Sequence, residues 1–589
     1  MTPADRLEAL RGRIDLRRVP FTDHLSRLLL YAGDDGLWLG RAVYETPVTE
    51  TAVLRRLRFV AGDAELPVAT SARPDRVEVV TAAGPFAIGF VDPETLLLTL
   101  PAGGGIAFDV AADQIEVSVG AGAARTSGAA PVWLGWSGGT PELARSQPAG
   151  TVGVRVVGDD AVPTTVVLQV TETRQPSPPV PEPDAVFAAA THAWSAWLAR
   201  APTVAPSLQT MADHAWWILR ANQILPAADP RRAGVAPSKQ GYVAVWNWDS
   251  CFHALGLRHG DPEAAKDQLR IILAHQQADG MLPDAIHDHG VIASTTDLPP
   301  YERGFGLPAG WDPDVPIPIT KPPLIAWAAR AIWQIDRDDE FLDEVYEPIA
   351  HALEWWFQNA DPDGNGIYEF SHSFSSGLDD SPLWDLGPPV ESPELSGYLA
   401  MQCDEMALIA ATIGRAADVE RWRARAATIA ERLVAQRWDD ARGLFASTHA
   451  GLAVPADTPF GLLPLLTGRL PAGMARRLVA TLTDPDRFWP TFPVPTVAVD
   501  DRAFAPDQMW RGPVWLNVNR LLIEGLRRSG FASEAAALRE RTLSLALEQP
   551  DFSEYYNPLT GSFPRRAAPT FGWAAASFLD LASEAPSST

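Results

Sequence analysis

The residues best suited to chemistry lie in one short acidic stretch, SGLDDSPLWD, at positions 376–385. It places Asp379, Asp380 and Asp385 within seven positions, beside Trp384. Because the stretch opens with Ser-Gly and contains a proline, we expect a loop there. A carboxyl group beside an aromatic ring suits cleavage of a glycosidic bond, in which the acid protonates the leaving oxygen while the ring stacks on the sugar. Taken alone, the stretch favours the simpler interpretation of a solvated acidic turn.

A second acid, Glu554, lies 175 positions further along the chain, in the segment FSEYYNPLTG. Its neighbours are aromatic and a Pro/Gly turn follows, so this segment is also predicted to be a loop. An acid that protonates the leaving oxygen and a base that activates water must be separate groups on either side of the cleaved bond. Loops of a helical toroid can meet at one mouth, and we therefore expect Asp379 and Glu554 to form such a pair.

Aromatic and charged side chains elsewhere predict contacts to a sugar. In QGYVAVWNWDSCFH, Trp246 and Trp248 offer ring faces, and Asp249 can accept hydrogen bonds from hydroxyl groups or cap the following helix. Lys321 stands at the expected mouth of a helix, and Arg511 is a fixed cation near the start of another. Of the 21 tryptophans, 16 lie after residue 200, and for most of these 16 packing between helices is the simpler interpretation. The predicted substrate-binding residues are Tyr242, Trp246, Trp248, Asp249, Lys321, Trp384, Arg511 and Trp573.

The segment DPDGNGIYE has the pattern of a calcium-binding loop. Asp361, Asp363, Asn365 and Glu369 supply oxygen atoms at alternating positions, and two glycines allow a sharp turn. One helix and a short extended run flank the segment, instead of the helix pair of an EF-hand. An Asp/Gly-rich turn that binds no metal is an equally good interpretation.

The elements that must position these residues are helices. About a dozen paired helices between residues 208 and 589 predict an (α/α)6 toroid or, failing that, an α-solenoid. Strands and helices do not alternate, which argues against a parallel α/β fold. Candidate helices fall near 208–225, 250–258, 262–277, 321–336, 340–359, 396–414, 417–437, 459–467, 472–482, 511–529, 532–549 and 570–583.

The chain before these helices has a different pattern. Short alternating runs separated by Gly and Pro turns predict an antiparallel β-sandwich domain at 1–175. Within it, the runs 152–157 and 165–170 predict a hairpin with a longer loop. Five prolines within ten residues predict a stiff linker, followed by a linker helix, at 176–207. The predicted catalytic domain is therefore 208–589.

Composition narrows the class of partner. The formal net charge of −25 disfavours nucleic acids and anionic membranes, and no run is apolar enough to span a bilayer. Two isolated cysteines and an N-terminus without an apolar core predict a cytoplasmic protein. A small carbohydrate fits as the substrate, and the oligomeric state stays open.

Six motifs occur in order over about residues 205–583: WNWDSxFH, QxxxGxxP, KPPLxAW, SGLDDSP, WRGPVWLNxN and EYYNPLTG. Together they resemble glycoside hydrolase family 63 and its bacterial relatives. That group includes processing α-glucosidases and the mannosylglycerate and glucosylglycerate hydrolases. The ordered set carries far more weight than any one motif.

The resemblance implies an (α/α)6 barrel and an inverting mechanism. Carried onto the matching positions, it makes Asp379 the general acid and Glu554 the general base. Tyr242, Trp246 and Asp249 would contact the sugar before the cleaved bond. Some relatives hold calcium, which supports structural calcium at 361–369, and no other cofactor is required.

Two departures from the resemblance bear on the substrate. The compact glycerate-releasing relatives lack a large N-terminal sandwich, and they tend to carry Gln where this chain has Lys321. Both favour an exo-acting α-glycosidase that hydrolyses an α-linked glucoside, either a small oligosaccharide or a glucosyl conjugate. Alternatives are a glucosylglycerate or mannosylglycerate hydrolase, whose anionic aglycone Lys321 would bind, or a non-catalytic sugar-binding toroid. A phosphorylase or epimerase is a further alternative, although no Gly-rich or basic cluster predicts a phosphate pocket.

Overall fold

A computed structural model of the chain describes two compact units. The described residues are 2–111, 114–118, 123–127, 131–138, 140–144, 151–171, 180–308 and 310–584. The first unit comprises Met1–Ala201, Gln209–Ile224 and Ser238–Val243, and the second comprises Pro202–Leu208, Leu225–Pro237 and Ala244–Thr589. The domain boundaries predicted from sequence stay predictions, and 172–179 of the Pro-rich segment fall outside the described residues.

Two antiparallel sheets build most of the first unit. Their strands are β1 Leu28–Gly33, β2 Gly36–Arg41, β3 Ala52–Ala61, β4 Ala64–Glu65, β5 Ala69–Arg73, β6 Arg76–Thr81, β7 Gly84–Asp92, β8 Thr95–Leu100, β9 Gly104–Ala111, β10 Gln114–Ser118, β11 Ala123–Ser127, β12 Val132–Ser137, β13 Thr140–Ala144, β14 Thr151–Val157 and β15 Thr164–Val170. One sheet has the order β1-β2-β3-β9-β14-β13, with β4 beside β3, and the other has the order β10-β11-β12-β15-β8-β7-β6-β5.

The two sheets share apolar contacts. The rings of Phe59 on β3 and Phe86 on β7 are 4.9 Å apart, so one face of each sheet meets the other at this point. In β14 every second residue is buried, which is the period expected when one face of a strand covers a core. The prediction of an antiparallel sheet region before the helices is confirmed.

The predicted hairpin of β14 and β15 is wrong. Strand β14 pairs with β9 and β13, whereas β15 pairs with β8 and β12 in the other sheet. After β14, the Gly158 N–H donates to the carbonyl of Gly104 at 3.0 Å, so the chain continues along β9 instead of turning back. Residues 158–163 then carry the chain from one sheet to the other.

Along the chain, one helix of the first unit comes before its first strand and two follow its last long strand. They are α1 Pro3–Ala9, α2 Pro183–Ala199 and α3 Pro206–Ala221, whose first turn belongs to the second unit. Helix α2 packs on β7 so closely that a Cβ on Gly89 would lie 2.7 Å from the ring of Phe187. The two tryptophans Trp197 and Trp216 stack with ring centroids 4.5 Å apart, which joins α2 to α3.

The second unit is helical, as predicted. Its helices are α4 Asn247–Leu257, α5 Pro262–Leu273, α6 Ile325–Asp336, α7 Asp339–Asn359, α8 Ser373–Ser376, α9 Pro393–Thr412, α10 Ala416–Arg437, α11 Ala472–Leu482, α12 Leu516–Arg528, α13 Ala532–Leu547 and α14 Gly572–Ser583. Segments Pro382–Trp384 and Pro459–Thr467 form 3₁₀ helices. No helix of the described chain is long and apolar enough to cross a membrane.

Prolines and a β-bridge explain three places where the observed helices differ from the predicted ones. Helix α6 begins at Ile325, four residues later than expected, because a residue before proline avoids the α conformation and Lys321 precedes two prolines. Helix α12 begins at Leu516, since the preceding Val514 pairs with Tyr556 in an antiparallel bridge. Pro464 lies within the 3₁₀ segment 459–467, where an α-helix was predicted.

Short strands complete the described chain. They are Gln223–Ile224, Gly234–Val235, Val245–Trp246, Ala285–His287, Gly290–Ile292, Glu369–Phe370, Val390–Glu391, Trp438–Asp439, Leu444–Phe445, Thr448–His449 and Leu452–Ala453. Strand 245–246 pairs with strand 285–287, and Trp246 lies opposite Ala285. This pairing brings the start of α4 next to Asp284.

Candidate active site

The loop that carries Asp379 is fixed by a glycine. Helix α8 is capped at its C-terminal end by Gly377, whose φ of +69° lies in the left-handed region. A Cβ at this position would lie 2.4 Å from the ring of Trp248, so only glycine fits both the backbone and the space. Asp379 follows two residues later and is half-buried. The predicted loop is present, and Ser376 belongs to the last position of the short helix before it.

The other two carboxylates of the acidic stretch hold the loop to a second segment. Asp380 accepts hydrogen bonds from the Trp510 backbone N–H at 2.8 Å and from Gln508 Nε2 at 3.3 Å. Asp385 forms an ion pair with Arg511, with Nη1 and Oδ2 3.3 Å apart. Arg511, predicted to bind substrate, therefore contacts a carboxylate of the chain itself.

Glu554 lies in a loop whose backbone is also fixed. Its side chain is only 3% exposed. The Glu554 N–H donates to the carbonyl of Ala568 at 2.9 Å, and the Ala568 N–H donates to Glu554 Oε2 at 3.1 Å. The indole N–H of Trp573 donates to the Glu554 carbonyl at 3.5 Å. The carboxyl group is thus held by the Ala568 N–H, and the Glu554 backbone is held by Ala568 and by Trp573 at the start of α14.

One aromatic cluster connects the loops of the two acids. Its members are Trp248, Trp510, Trp515, Tyr555 and Trp573. Trp510 and Trp515 stack at 3.6 Å, and Trp248 meets Trp573 edge to face at 5.3 Å. Trp515 and Tyr555 are 4.8 Å apart. Since Gly377 packs on Trp248 and Tyr555 adjoins Glu554, the cluster holds both acid loops in one region of the second unit.

Beside this cluster lies a buried ion pair. Lys321 Nζ is 2.8 Å from Asp284 Oδ1, and each side chain is 7% exposed. Burial raises the pKa of Asp249 to about 8, against the opposing charge of Lys321, so Asp249 is protonated at neutral pH. The negative charges of Asp284 and Asp379 act in the same direction as burial. Lys321 was predicted to bind substrate, whereas Asp284 was not among the predicted site residues.

The remaining predicted substrate residues lie in three different environments. Trp246 is half-buried, and its ring meets that of His287 edge to face at 5.3 Å. Trp384 is half-buried at the end of the 3₁₀ helix 382–384. Tyr242 belongs to the first unit, where it lines an open cleft of about 730 Å³ with residues of the segments 16–20, 31–34 and 45–49.

The predicted calcium loop closes on itself through its own oxygen atoms. Asp361 Oδ2 accepts from the Gly366 N–H at 2.9 Å, and Asn365 Oδ1 accepts from the Ile367 N–H at 2.7 Å. Burial raises the pKa of Glu369 to about 7, and the negative charges of Glu391, Asp363 and Asp361 add to that rise. An oxygen-rich site with surplus negative charge has the donor chemistry that calcium prefers.

A tighter acidic group lies elsewhere in the described chain. Glu263, Asp336 and Asp338 bring one oxygen atom each to within 4.8 Å of one another. The ammonium of Lys266 lies 2.7, 2.7 and 2.6 Å from their oxygen atoms and occupies the space between them, where it offsets part of their negative charge. We therefore assign this cluster to helix packing between α5 and the α6–α7 turn.

Sequence reasoning missed side chains that act through distant partners. Asp284 lies 37 positions before Lys321, and no local pattern marks the pair. Trp510, Trp515 and Tyr555 occur in the WRGPVW and EYYNP motifs, and their aromatic density was the signal available.

Comparison with known proteins identifies the class. A family model described as "Mannosylglycerate hydrolase MGH1-like glycoside hydrolase domain" matches residues 242–574, more than half of the chain. The mannosylglycerate hydrolase of Thermus thermophilus is 28% identical over 412 residues, which cover 59% of this chain and 96% of that protein. The glucosylglycerate hydrolase of Mycolicibacterium hassiacum is 26% identical over 425 residues, covering 58% and 92%.

Solved structures agree with this class. The GH63 mannosylglycerate hydrolase of Thermus thermophilus, in complex with Tris and D-glycerate, superposes with a TM-score of 0.53 at 26% identity, covering 63% of this chain and 99% of that one. A bacterial glucoamylase complexed with acarbose superposes with a TM-score of 0.62, covering 96% and 93%, and at 11% identity this likeness concerns the fold alone. The chain belongs to glycoside hydrolase family 63 and, within it, to the MGH1-like group. It is a glycoside hydrolase.

Proposed function

We propose that this chain is an inverting, exo-acting α-glycosidase, with Asp379 as general acid and Glu554 as general base. The observation that carries the proposal is the aromatic cluster, on which the loops of both acids converge. Binding alone would not require two separately anchored carboxyl groups. This argues against the alternative of a non-catalytic sugar-binding toroid.

The proposed reaction divides the work between the two carboxyl groups. Asp379 donates its proton to the oxygen of the leaving group as the glycosidic bond breaks. Glu554 takes a proton from a water molecule that attacks the anomeric carbon from the opposite face. The first product is then the β-anomer, and the two carboxyl groups exchange protons with solvent before the next turnover. Protonated Asp249 can donate a hydrogen bond to a sugar oxygen.

The substrate we propose is a neutral α-linked glucoside, such as a small oligosaccharide or a glucosyl conjugate. Lys321 and Arg511, the two cations predicted to contact substrate, each form an ion pair with an aspartate. A glucosylglycerate or mannosylglycerate is the second candidate, and it is favoured by the activities named for the curated relatives. Tyr242, Trp246, Trp248, Trp384 and Trp573 would supply contacts to the sugar in either case.

We also propose the finer architecture that the resemblance implies. The paired helices of the second unit would form an (α/α)6 barrel, and the two sheets of the first unit a β-sandwich. Structural calcium at Asp361, Asp363, Asn365 and Glu369 would tie the end of α7 to the strand 369–370. The cytoplasmic location and the absence of a nucleic-acid partner stay predictions from composition.

A screen of the purified protein tests the substrate class. The panel comprises α-linked glucose disaccharides, an α-glucosyl conjugate with a neutral aglycone, glucosylglycerate and mannosylglycerate, with release of free monosaccharide as the readout. We expect the highest kcat/KM on a neutral α-glucoside. A preference for a glycerate conjugate would replace the first candidate with the second, and binding of every sugar without turnover would refute catalysis.

A further inference from the structure

We propose that Lys321 and Asp284 are a positioning pair for Asp379, and that Lys321 is not a receptor for an anionic aglycone. The pair is buried, with Nζ and Oδ1 2.8 Å apart and 7% of each side chain exposed. The inference rests on the proposed function, because it assigns to the pair the task of holding the general acid in place and setting its charge environment.

The first line of support is a set of hydrogen bonds that Lys321 and its neighbour make with α8. Lys321 Nζ also donates to the backbone carbonyl of Phe374 at 2.7 Å, within α8. The adjacent Thr320 N–H donates to Ser375 Oγ at 3.2 Å. Helix α8 ends three residues before Asp379, so residues 320–321 anchor the turn that leads to the acid. The ammonium therefore bridges Asp284 and the acid's own loop.

The second line of support is electrostatic. Burial alone would lower the pKa of Lys321, but the carboxyl groups of Asp284, Asp379 and Asp249 outweigh it, so the pKa is raised and Lys321 stays protonated. Burial raises the pKa of Asp284, and the Lys321 charge opposes that rise. The ammonium thus acts on three carboxyl groups that reach it from three different segments.

His372, another titratable group near Lys321, is uncharged at neutral pH. Burial lowers the pKa of His372 to about 4; the hydrogen bond to Phe305 opposes this and the Lys321 charge adds to it. His372 Nε2 lies 2.9 Å from the carbonyl oxygen of Phe305. Among the acidic groups near Lys321, Asp284 is therefore the ion-pair partner, Asp249 is protonated at neutral pH, and Asp379 is the proposed proton donor.

The charges of Lys321 and Asp284 are expected to shift the pKa of Asp379 in opposite directions. A cation near Asp379 favours its ionised form, and an anion near it favours the protonated form. The alkaline limb of kcat/KM reports the pKa of the general acid in the free enzyme. Removing the Lys321 charge should move this limb to higher pH, and removing the Asp284 charge should move it to lower pH.

The same contacts argue against the simplest specificity role for Lys321. Its ammonium already has two oxygen partners, Asp284 Oδ1 and the Phe374 carbonyl, at 2.8 and 2.7 Å. A substrate carboxylate at the third N–H would meet a cation whose charge Asp284 already balances and would be repelled by the Asp284 carboxylate, so it would gain little net attraction. The pair is thus part of the acid's support.

The test is the pH dependence of kcat/KM on a neutral α-glucoside for Lys321→Gln, Asp284→Asn and the double variant. We expect the alkaline limb to move up by about one pH unit in Lys321→Gln and down by about one unit in Asp284→Asn, as for a neighbouring charge. The double variant should return to within about half a unit of the parent. Limbs that stay in place in both single variants, or that move in the same direction, would overturn the proposal.

Lys321→Arg keeps the positive charge and serves as the control that separates the effect of the charge from a defect in folding. We expect its alkaline limb to stay at the position of the parent enzyme even if kcat falls, because the charge remains. A Lys321→Gln variant that weakens only the KM for glucosylglycerate, with an unmoved limb, would show Lys321 to be an anion receptor and overturn the proposal. Asp379→Ala distinguishes failure of the pair from failure of the proposed function. Near-parental activity in Asp379→Ala refutes the proposed function, whereas a strongly impaired Asp379→Ala with unmoved limbs in the Lys321 and Asp284 variants refutes the pair alone.

Discussion

At the scale of single residues, the three aspartates of the acidic stretch have different partners. Asp380 accepts from the Trp510 backbone and Asp385 pairs with Arg511, whereas Asp379 interacts with the buried Lys321. The three carboxyl groups look alike in the sequence, and their different partners in the fold give each of them a different environment. We propose proton transfer for Asp379 alone among the three.

Replacement of either proposed catalytic acid should abolish turnover without unfolding the protein. We expect Asp379→Ala and Glu554→Ala each to lower kcat/KM by about 10²–10⁴-fold, which is the contribution of a positioned acid or base. Steady-state kinetics and a thermal melt check this. Asp380→Asn is the matched control, because the amide oxygen can still accept from the Trp510 N–H, and it should keep activity within about tenfold of the parent. Near-parental activity in either alanine variant would contradict the assignment.

Asp249 should make stability depend on pH. The folded protein keeps the Asp249 proton up to about pH 8, whereas an unfolded chain releases it near the ordinary Asp pKa of about 4. The free energy of unfolding therefore falls, by up to about 1.4 kcal/mol per pH unit, as the pH rises through this window.

The Asp249→Asn variant removes this contribution. We expect the Tm difference between Asp249→Asn and the parent to grow in favour of the variant from pH 5 to pH 8, measured by differential scanning calorimetry. A difference that is constant over this range would show that Asp249 is ionised in the folded state.

At the scale of elements, Gly377 sets the path of the acid's loop. Gly377→Ala would place a Cβ 2.4 Å from Trp248 on a left-handed backbone. We expect it to lower Tm by several degrees more than Gly414→Ala, which has a similar φ of +80° but open space around the added methyl. It should also cost activity, because Asp379 follows two residues later. Equal melting temperatures for the two variants would contradict the packing.

The 361–369 loop should bind calcium more tightly as Glu369 ionises. Because the pKa of Glu369 is about 7, we expect millimolar calcium to raise Tm by about 2–4 °C at pH 8 and by less at pH 6. Glu369→Gln should abolish the shift, whereas Glu420→Gln, an exposed change on α10, should leave it intact. A Tm that calcium does not change at pH 8 would refute the metal site.

Elements were predictable where their signal is local. The 3.6-residue period placed α7 and α11 within one residue of their observed ends, because the period depends only on neighbouring side chains. The pairing of β14 was not predictable in this way, since the choice between a hairpin and a change of sheet depends on β9, which lies about 50 positions earlier.

The candidate site was likewise predictable only where its signal is local. The loop around Asp379 could be inferred from Ser-Gly and Pro382, and its chemistry from the aromatic residues beside it. Its anchors could not, because Asp380 meets Trp510 across 130 positions and Lys321 meets Phe374 across 53. Such contacts are decided by how the helices pack, and the sequence pattern of one segment does not contain them.

At the scale of the whole molecule, the chain combines a family 63 hydrolase domain with a sheet-rich unit that lies almost entirely outside the family match. The matched region, 242–574, contains both acids, the aromatic cluster and the Lys321–Asp284 pair. Of the described first unit, only Tyr242 and Val243 fall within the matched region.

The anomeric form of the first product tests the central claim most directly. Proton NMR of an α-linked glucoside during early hydrolysis, before mutarotation equilibrates the free sugar, resolves the two anomeric signals. We predict that the β-anomer forms first, because water activated by Glu554 attacks from the face opposite the bond that Asp379 helps to break. Initial release of the α-anomer would contradict inversion and, with it, the roles assigned to both acids.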